Sequence, residues 1–385
     1  MTFSKGQVRI LCVGRDMRGG GAERVQATLL RFLNRDRFLL TAAYMSREGV
    51  LSAELPADVR AIYGNFGRAS RMAAAHQFFK RLVALARQHD VIFGMQEGSP
   101  IYFAVLAALV TRRPAIGWIH NLWSRLALSA GIWNRPASKC LYPLAKSIIC
   151  VSHQVQADLT AMKPELRPKL HVLANPLDTA TISNQAHQAA PEWVHSWWTG
   201  KKILACGRLT RQKGFDLLLE GIAALRQKGL NCRLIILGEG EERSALLERT
   251  HALGLSDRVL LPGFYPNPYP IFKVADVFVL SSRFEGLGMV MLEAMVLGVP
   301  VVAFNCEGGG PEEILGDGSS GLLVEPLHTQ QLADGVERLL FDHSFRSRCV
   351  VAASQKVRQY DAPLVARRFE DLFVHTVCDA RSNLS

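Results

Sequence analysis

Five short apolar runs alternate with helical stretches in the first half of the chain, and five more do so in the second. Residues 8–13, 39–44, 91–93, 115–119 and 147–151 read as strands, with helices over 23–33 and 72–88 among the segments between them. The second series comprises strands over 202–206, 233–237, 259–261, 277–280 and 299–304, separated by helices over 215–227, 241–253 and 288–297. This repeated βαβ order predicts an α/β chain of two doubly wound, Rossmann-like domains. At 385 residues the chain exceeds what one hydrophobic core usually covers. Asn175-Pro176-Leu177-Asp178, followed by a polar stretch and by Trp193, Trp197 and Trp198, places the boundary near 177. The expected domains are 1–176 and 177–385, with the last ~20 residues packing back on the first. Ligands of open α/β sheets bind beyond the carboxyl ends of the strands, so two facing sheets are expected to enclose a central cleft.

The most informative segment lies at such a strand end. After the strand 277–280 come Ser282-Arg283-Phe284-Glu285-Gly286-Leu287-Gly288-Met289, and Glu293 stands on the helix that follows. Bare backbone at Gly286 and Gly288 lets a ligand approach closely, and a helix starting there directs free N–H groups at phosphate oxygens. Two carboxylates beside a phosphate site make sense as acceptors of sugar or ribose hydroxyls. The combination points to a nucleotide-sugar.

After the strand 202–206 come Gly207-Arg208-Leu209-Thr210-Arg211-Gln212-Lys213-Gly214. Arg208 and Lys213 are placed to clamp a diphosphate and to neutralise charge that grows on it as it leaves. The bland alternative, a solvated basic loop, is about even until Glu285 and Glu293 are weighed beside it. Gly238-Glu239-Gly240 lacks the third glycine and the spacing of a dinucleotide fingerprint. Pro262-Gly263-Phe264 suits either a nucleobase contact or a structural turn. Gly308-Gly309-Gly310-Pro311-Glu312-Glu313 opens another helix and can offer backbone amides. In the first half, Gly19 and Gly20 open a helix after strand one, and His120 follows the strand 115–119, where an imidazole can reach a reacting sugar. A single histidine is more often structural.

Charge is divided unevenly: residues 1–176 hold 24 Lys and Arg against 10 Asp and Glu, the remainder 21 against 24. The basic half suits an anionic membrane surface or a merely solvated face. Nucleic acid is not expected, since no zinc, helix-turn-helix or aromatic-interleaved motif appears. Trp118, Leu122, Trp123, Leu126, Leu128, Ile132 and Trp133 mix with Arg125 and Arg135 as an amphipathic surface element would, although ordinary core packing is the favoured reading. The apolar run 101–110 is about half a membrane span, and the N-terminus lacks a secretory signal pattern. Eight scattered cysteines read as buried thiols of a reducing cytoplasm. No Asp-x-Asp pair or His-x-x-x-His cluster suggests a divalent metal, and no cofactor is expected.

The glutamate pair in Phe284-Glu285-Gly286-Leu287-Gly288, the segment from Gly207 to Gly214, Asn175-Pro176 and Gly19-Gly20 together resemble family 4 of the retaining glycosyltransferases, which have the GT-B fold. The resemblance implies that the first domain binds the acceptor and the second the donor. It assigns Glu285 and His120 to the donor sugar, Glu293 to the ribose, and Arg208 and Lys213 to the diphosphate. Gly263, Phe264, Gly286, Leu287, Gly288 and Met289, with Gly19 and Gly20, complete the expected substrate contacts. Metal-independent transfer with retention follows from the resemblance, with a UDP-sugar favoured over a GDP-sugar and a saccharide or lipid-linked acceptor. The expected location is cytoplasmic, peripheral on the inner face of the cell membrane. A GT-B enzyme of another reaction, such as an epimerase, and a non-catalytic nucleotide-sugar-binding scaffold remain as alternatives.

Overall fold

The computed structural model describes residues 6–46, 49–64, 71–125 and 134–382. The chain separates into unit 1, Met1–Pro176 with Ala362–Ser385, and unit 2, Leu177–Asp361. Unit 1 is built on a seven-stranded parallel sheet of β1 (Val8–Gly14), β2 (Phe38–Tyr44), β3 (Arg60–Tyr63), β4 (Val91–Gly94), β5 (Ala115–Ile119), β6 (Ser147–Cys150) and β7 (Leu170–Val172). Their order across the sheet is β3-β2-β1-β4-β5-β6-β7. Unit 2 repeats the plan with β8 (Lys201–Cys206), β9 (Cys232–Leu237), β10 (Val259–Gly263), β11 (Val277–Leu280), β12 (Val301–Phe304) and β13 (Leu322–Val324), ordered β10-β9-β8-β11-β12-β13.

Central strands of both sheets read as nearly continuous apolar runs because helices cover both faces. Ile10, Leu11, Cys12 and Val13 are fully buried, and so are Val301, Val302, Ala303 and Phe304. The core of unit 2 joins Ile203, Leu219, Ile236, Val279, Phe304 and Leu340. Strand order reverses between β1 and β4 in one unit and between β8 and β11 in the other. At such a reversal the flanking loops run in opposite directions and leave a crevice at the strand ends.

The helix Ala362–Ser382 belongs to unit 1. Its Phe373 ring lies 5.1 Å from Phe93 and 6.2 Å from Phe38, and Phe369 lies 4.9 Å from Trp118. Glu370 accepts from the Asn34 amide at 2.8 Å and from Arg37 at 2.9 Å. Truncating Phe373, which is fully buried, would cost about 3–5 kcal/mol.

Three strands escape sequence reading: β3, β7 and β13. Each lies at an edge of its sheet and has only three or four residues, too few to display a period. The strand read at 299–304 starts instead at Val301, after Pro300, which has no N–H to pair. Within the stretch read as a surface element or core, Trp118 and Leu122 pack as core, while Arg125 is exposed. Trp118 is fully buried, Leu122 is buried, and the Trp123 indole donates to Ser138 Oγ at 2.7 Å. Leu126, Leu128, Ile132 and Trp133 lie outside the described residues, as does the side chain of Arg135. No helix among the described residues is long and apolar enough to cross a membrane.

Candidate active site

Two loops leave the reversal point of unit 2 from β8 and β11, and one ion pair joins them. Lys213 closes the short turn Arg211–Lys213. Its Nζ stands 2.5 Å from Glu285 Oε1, with the two side chains 16 % and 8 % exposed. Ser282 Oγ donates to the same oxygen at 2.7 Å. Both hydrogen bonds therefore load Oε1, leaving Oε2 to take a hydroxyl from a ligand.

Backbone contacts hold this pair in place. Ser281 Oγ donates to Lys213 O at 3.0 Å, the Arg283 amide to Gln212 O at 2.8 Å, and Gln212 Nε2 to Phe284 O at 3.0 Å. Arg283 also grips Asp216 through both guanidinium nitrogens at 2.7 Å. Burial alone would raise the Asp216 carboxyl, but the Arg283 fork outweighs it and holds the group below the usual carboxylate range. Two glycines permit the close approach. A Cβ at Gly214, where φ is +62°, would fall 2.1 Å from Ser281 O; one at Gly308, where φ is +98°, would fall 1.9 Å from Glu285 O. The Glu285 amide donates to Glu307 O at 2.8 Å, tying the loop to the end of β12. Cys306 behind it is buried, and burial, reinforced by Glu285, pushes its thiol far up, so it stays protonated.

Gly286, Leu287 and Gly288 are buried and lead into the helix Met289–Val296, whose cap Gly288 has φ +80°. Met289 is half-buried at its first turn, and Glu293 is buried one turn on. The neighbouring strand ends lie close: the Gly207 amide donates to Leu237 O and the Gly238 amide to Gly263 O, each at 2.9 Å. Phe264, next to Gly263, is 53 % exposed. Arg208 is exposed, and its side chain makes no hydrogen bond or ion pair among the described residues.

In unit 1, Gly20 caps the helix Gly21–Phe32, with Glu23 Oε2 2.1 Å from where a Gly20 Cβ would lie, and Gly19 has φ +122°. His120 is buried at the end of β5, its ring 4.4 Å from that of Trp118. Burial lowers its pKa, with nearby Glu97 opposing. No group of three or more His, Cys, Asp or Glu that can hold a metal ion is found among the described residues.

Thus the structure joins Lys213 to Glu285 and continues that loop through Gly286–Met289 to Glu293, while Arg208 and Phe264 are exposed. Sequence reasoning missed Ser282, Gln212, Asp216 and Glu307 as supports. Ser282 carried a signal, a hydroxyl three residues before a glutamate in a tight loop. Asp216 carried none, because its partner is 67 residues away.

Residues 196–356 match the family model for glycosyl transferases group 1, and residues 19–181 match that for glycosyltransferase family 4. The lipopolysaccharide core biosynthesis glycosyltransferase LpsE of Rhizobium meliloti is 37 % identical over 146 residues, which is 38 % of this chain and 41 % of that protein. The N-acetylgalactosamine-N,N'-diacetylbacillosaminyl-diphospho-undecaprenol 4-alpha-N-acetylgalactosaminyltransferase of Campylobacter jejuni is 27 % identical over 366 residues, covering 90 % and 94 % of the two chains. The crystal structure of Anabaena HepE in complex with UDP superposes with a TM-score of 0.80 at 20 % identity, covering 96 % of this chain and all of that one. At that identity the likeness establishes the fold, GT-B.

Proposed function

Because the chain belongs to glycosyltransferase family 4, we propose that it moves a hexosyl group from a nucleotide diphosphate sugar, a UDP-sugar first, to a saccharide or lipid-linked saccharide acceptor in cell-surface polysaccharide or lipopolysaccharide synthesis. The observation that carries this reading is the Lys213–Glu285 pair at the β8–β11 reversal, a cation and a hydroxyl acceptor held together where open α/β sheets take their ligands. Glu285 Oε2 accepts a hydroxyl of the donor sugar, Glu293 one of the ribose, and the exposed Phe264 ring lies against the base. Lys213 and Arg208 neutralise the diphosphate; Lys213 is already in place and needs no reorganisation as charge develops. The bond from the anomeric carbon to the phosphate oxygen breaks, and the nucleoside diphosphate leaves with the electron pair. The acceptor oxygen bonds to the same face, and its proton passes to the departing phosphate. Configuration is retained and no metal is required. His120 is the residue of unit 1 assigned to the reaction.

A membrane-borne acceptor is supported by the charge and surface of unit 1. Residues 98–157 carry Arg112, Arg113, Arg125, Arg135, Lys139 and Lys146 and no Asp or Glu. The helix Ser99–Thr111 exposes Leu106, Leu109 and Val110 just before Arg112 and Arg113. Such a pairing of apolar and basic side chains suits an anionic lipid surface at the cytoplasmic face.

The test is the thermal shift of the purified protein with UDP, GDP, ADP and NAD, since a ligand at 100 times its Kd stabilises by about 2.7 kcal/mol. A selective shift with one nucleoside diphosphate, UDP expected, supports the reading. A shift with NAD alone overturns it.

A further inference from the structure

We propose that Glu97 is a positioning residue for His120, holding the end of β5 so that the ring offers a bare Nδ1 to a substrate hydroxyl. This rests on the transfer reaction proposed above. β4 and β5 are adjacent, and their exits run as Met95-Gln96-Glu97 and His120-Asn121. Three hydrogen bonds tie these exits together. Glu97 Oε2 accepts from the His120 amide at 3.0 Å, Glu97 Oε1 from Asn121 Nδ2 at 3.3 Å, and Met95 O from His120 Nε2 at 3.0 Å. Met95 O also receives Gln26 Nε2 at 3.2 Å.

The chemistry of that third bond decides the tautomer. A carbonyl oxygen only accepts, so His120 Nε2 carries the hydrogen and Nδ1 of the neutral ring carries the lone pair. Nδ1 is buried and makes no hydrogen bond of ordinary geometry, while the Asn175 side chain lies close enough to act on the ring and favours its charged form. Buried polar atoms are nearly always paired in folded proteins. A sugar hydroxyl is a donor that pairs such a nitrogen. A phosphate oxygen, an acceptor itself, is not.

Glu97 is the less expected member. The residue is 6 % exposed, and its carboxylate has no ion pair among the described residues. Arg15 donates to its backbone oxygen at 3.3 Å rather than to the carboxylate. A buried carboxylate held only by neutral N–H groups is costly, and here both donors belong to the residues whose placement matters.

The test is a double-mutant cycle on the purified enzyme, with Glu97→Ala, His120→Ala and their combination. Glu97→Ala should lower kcat about 10²-fold through misplacement of the ring, with the donor KM unchanged. In the His120→Ala background it should remove nothing further. A multiplicative loss in the double variant, or an unchanged kcat in Glu97→Ala, overturns the proposal. Should the alanine variant fail to fold, Glu97→Gln keeps the shape and one acceptor, and the same non-additivity is required of it. NMR of 15N-histidine-labelled protein supplies a readout independent of turnover. His120 should appear as the Nε2–H tautomer and lose that definition in the Glu97 variant, whereas an Nδ1–H tautomer in the unmutated protein refutes the reading. If the unmutated protein transfers no sugar from any donor, the proposed reaction fails, while the change of the His120 signal between the unmutated protein and the Glu97 variant still decides the role of Glu97.

Discussion

Replacing Lys213 with methionine removes a cation from a carboxylate that is 8 % exposed while leaving the volume nearly unchanged. Breaking a buried pair by deleting one partner costs about 3–5 kcal/mol, because the remaining charge is stranded. Ser282 still donates to Glu285 Oε1, and Lys213 was itself 16 % exposed, so the lower end, about 3 kcal/mol, is expected. The loops from β8 and β11 are stitched by four further hydrogen bonds, so the loss should appear as easier opening of that sheet region. Hydrogen exchange followed by mass spectrometry on peptides covering β11 reads this directly. A loss of 3 kcal/mol corresponds to exchange faster by about 10²-fold. The double variant Lys213→Met/Glu285→Gln, which discards both charges, should recover all but about 1 kcal/mol. Transfer should be lost in both, so stability and activity part company in the double variant. Exchange unchanged in Lys213→Met, or a double variant as labile as the single one, would refute the claim that the pair locks the two loops.

Glu285→Ala should abolish transfer with circular dichroism unchanged, and near-normal turnover would end its assignment to the donor sugar. Arg208→Ala should lose about 10²–10³-fold in rate, yet shift the urea midpoint by no more than about 0.5 kcal/mol, because this exposed side chain has no partner to lose. Gly308→Ala places a Cβ on Glu285 O at a φ of +98° and should cost at least about 1–3 kcal/mol together with most of the activity, read by denaturant unfolding and turnover. The depressed pKa of Asp216 sets a pH dependence: its contribution is present above the unfolded value of about 3.9 and is lost as pH falls through the lower folded value. Asp216→Asn should therefore flatten the acid limb of the urea midpoint below about pH 4, and an unaltered limb would argue against that sign.

The amino-acid sequence alone determines that this chain forms parallel α/β sheets, since apolar runs of strand length punctuated by helices and strand-end glycines leave few other ways to bury them. It also locates the reactive loops, because Glu285, Glu293, Arg208 and Lys213 all follow apolar strands, and helices open close behind them. Edge strands such as Leu322–Val324 are settled only by tertiary structure: three residues pair because a neighbouring strand is already present, not because of their own pattern. The same holds for the supports of the site. Asp216 and Arg283 are 67 residues apart in the chain, and Glu97 and His120 are 23 apart, so neither spacing predicts a contact. What makes them partners is the order β8-β11 and the adjacency β4-β5, which carry distant residues to neighbouring strand ends. Composition dictates which elements form, whereas the register between strands decides which carboxylate meets which cation and which imidazole nitrogen is left bare.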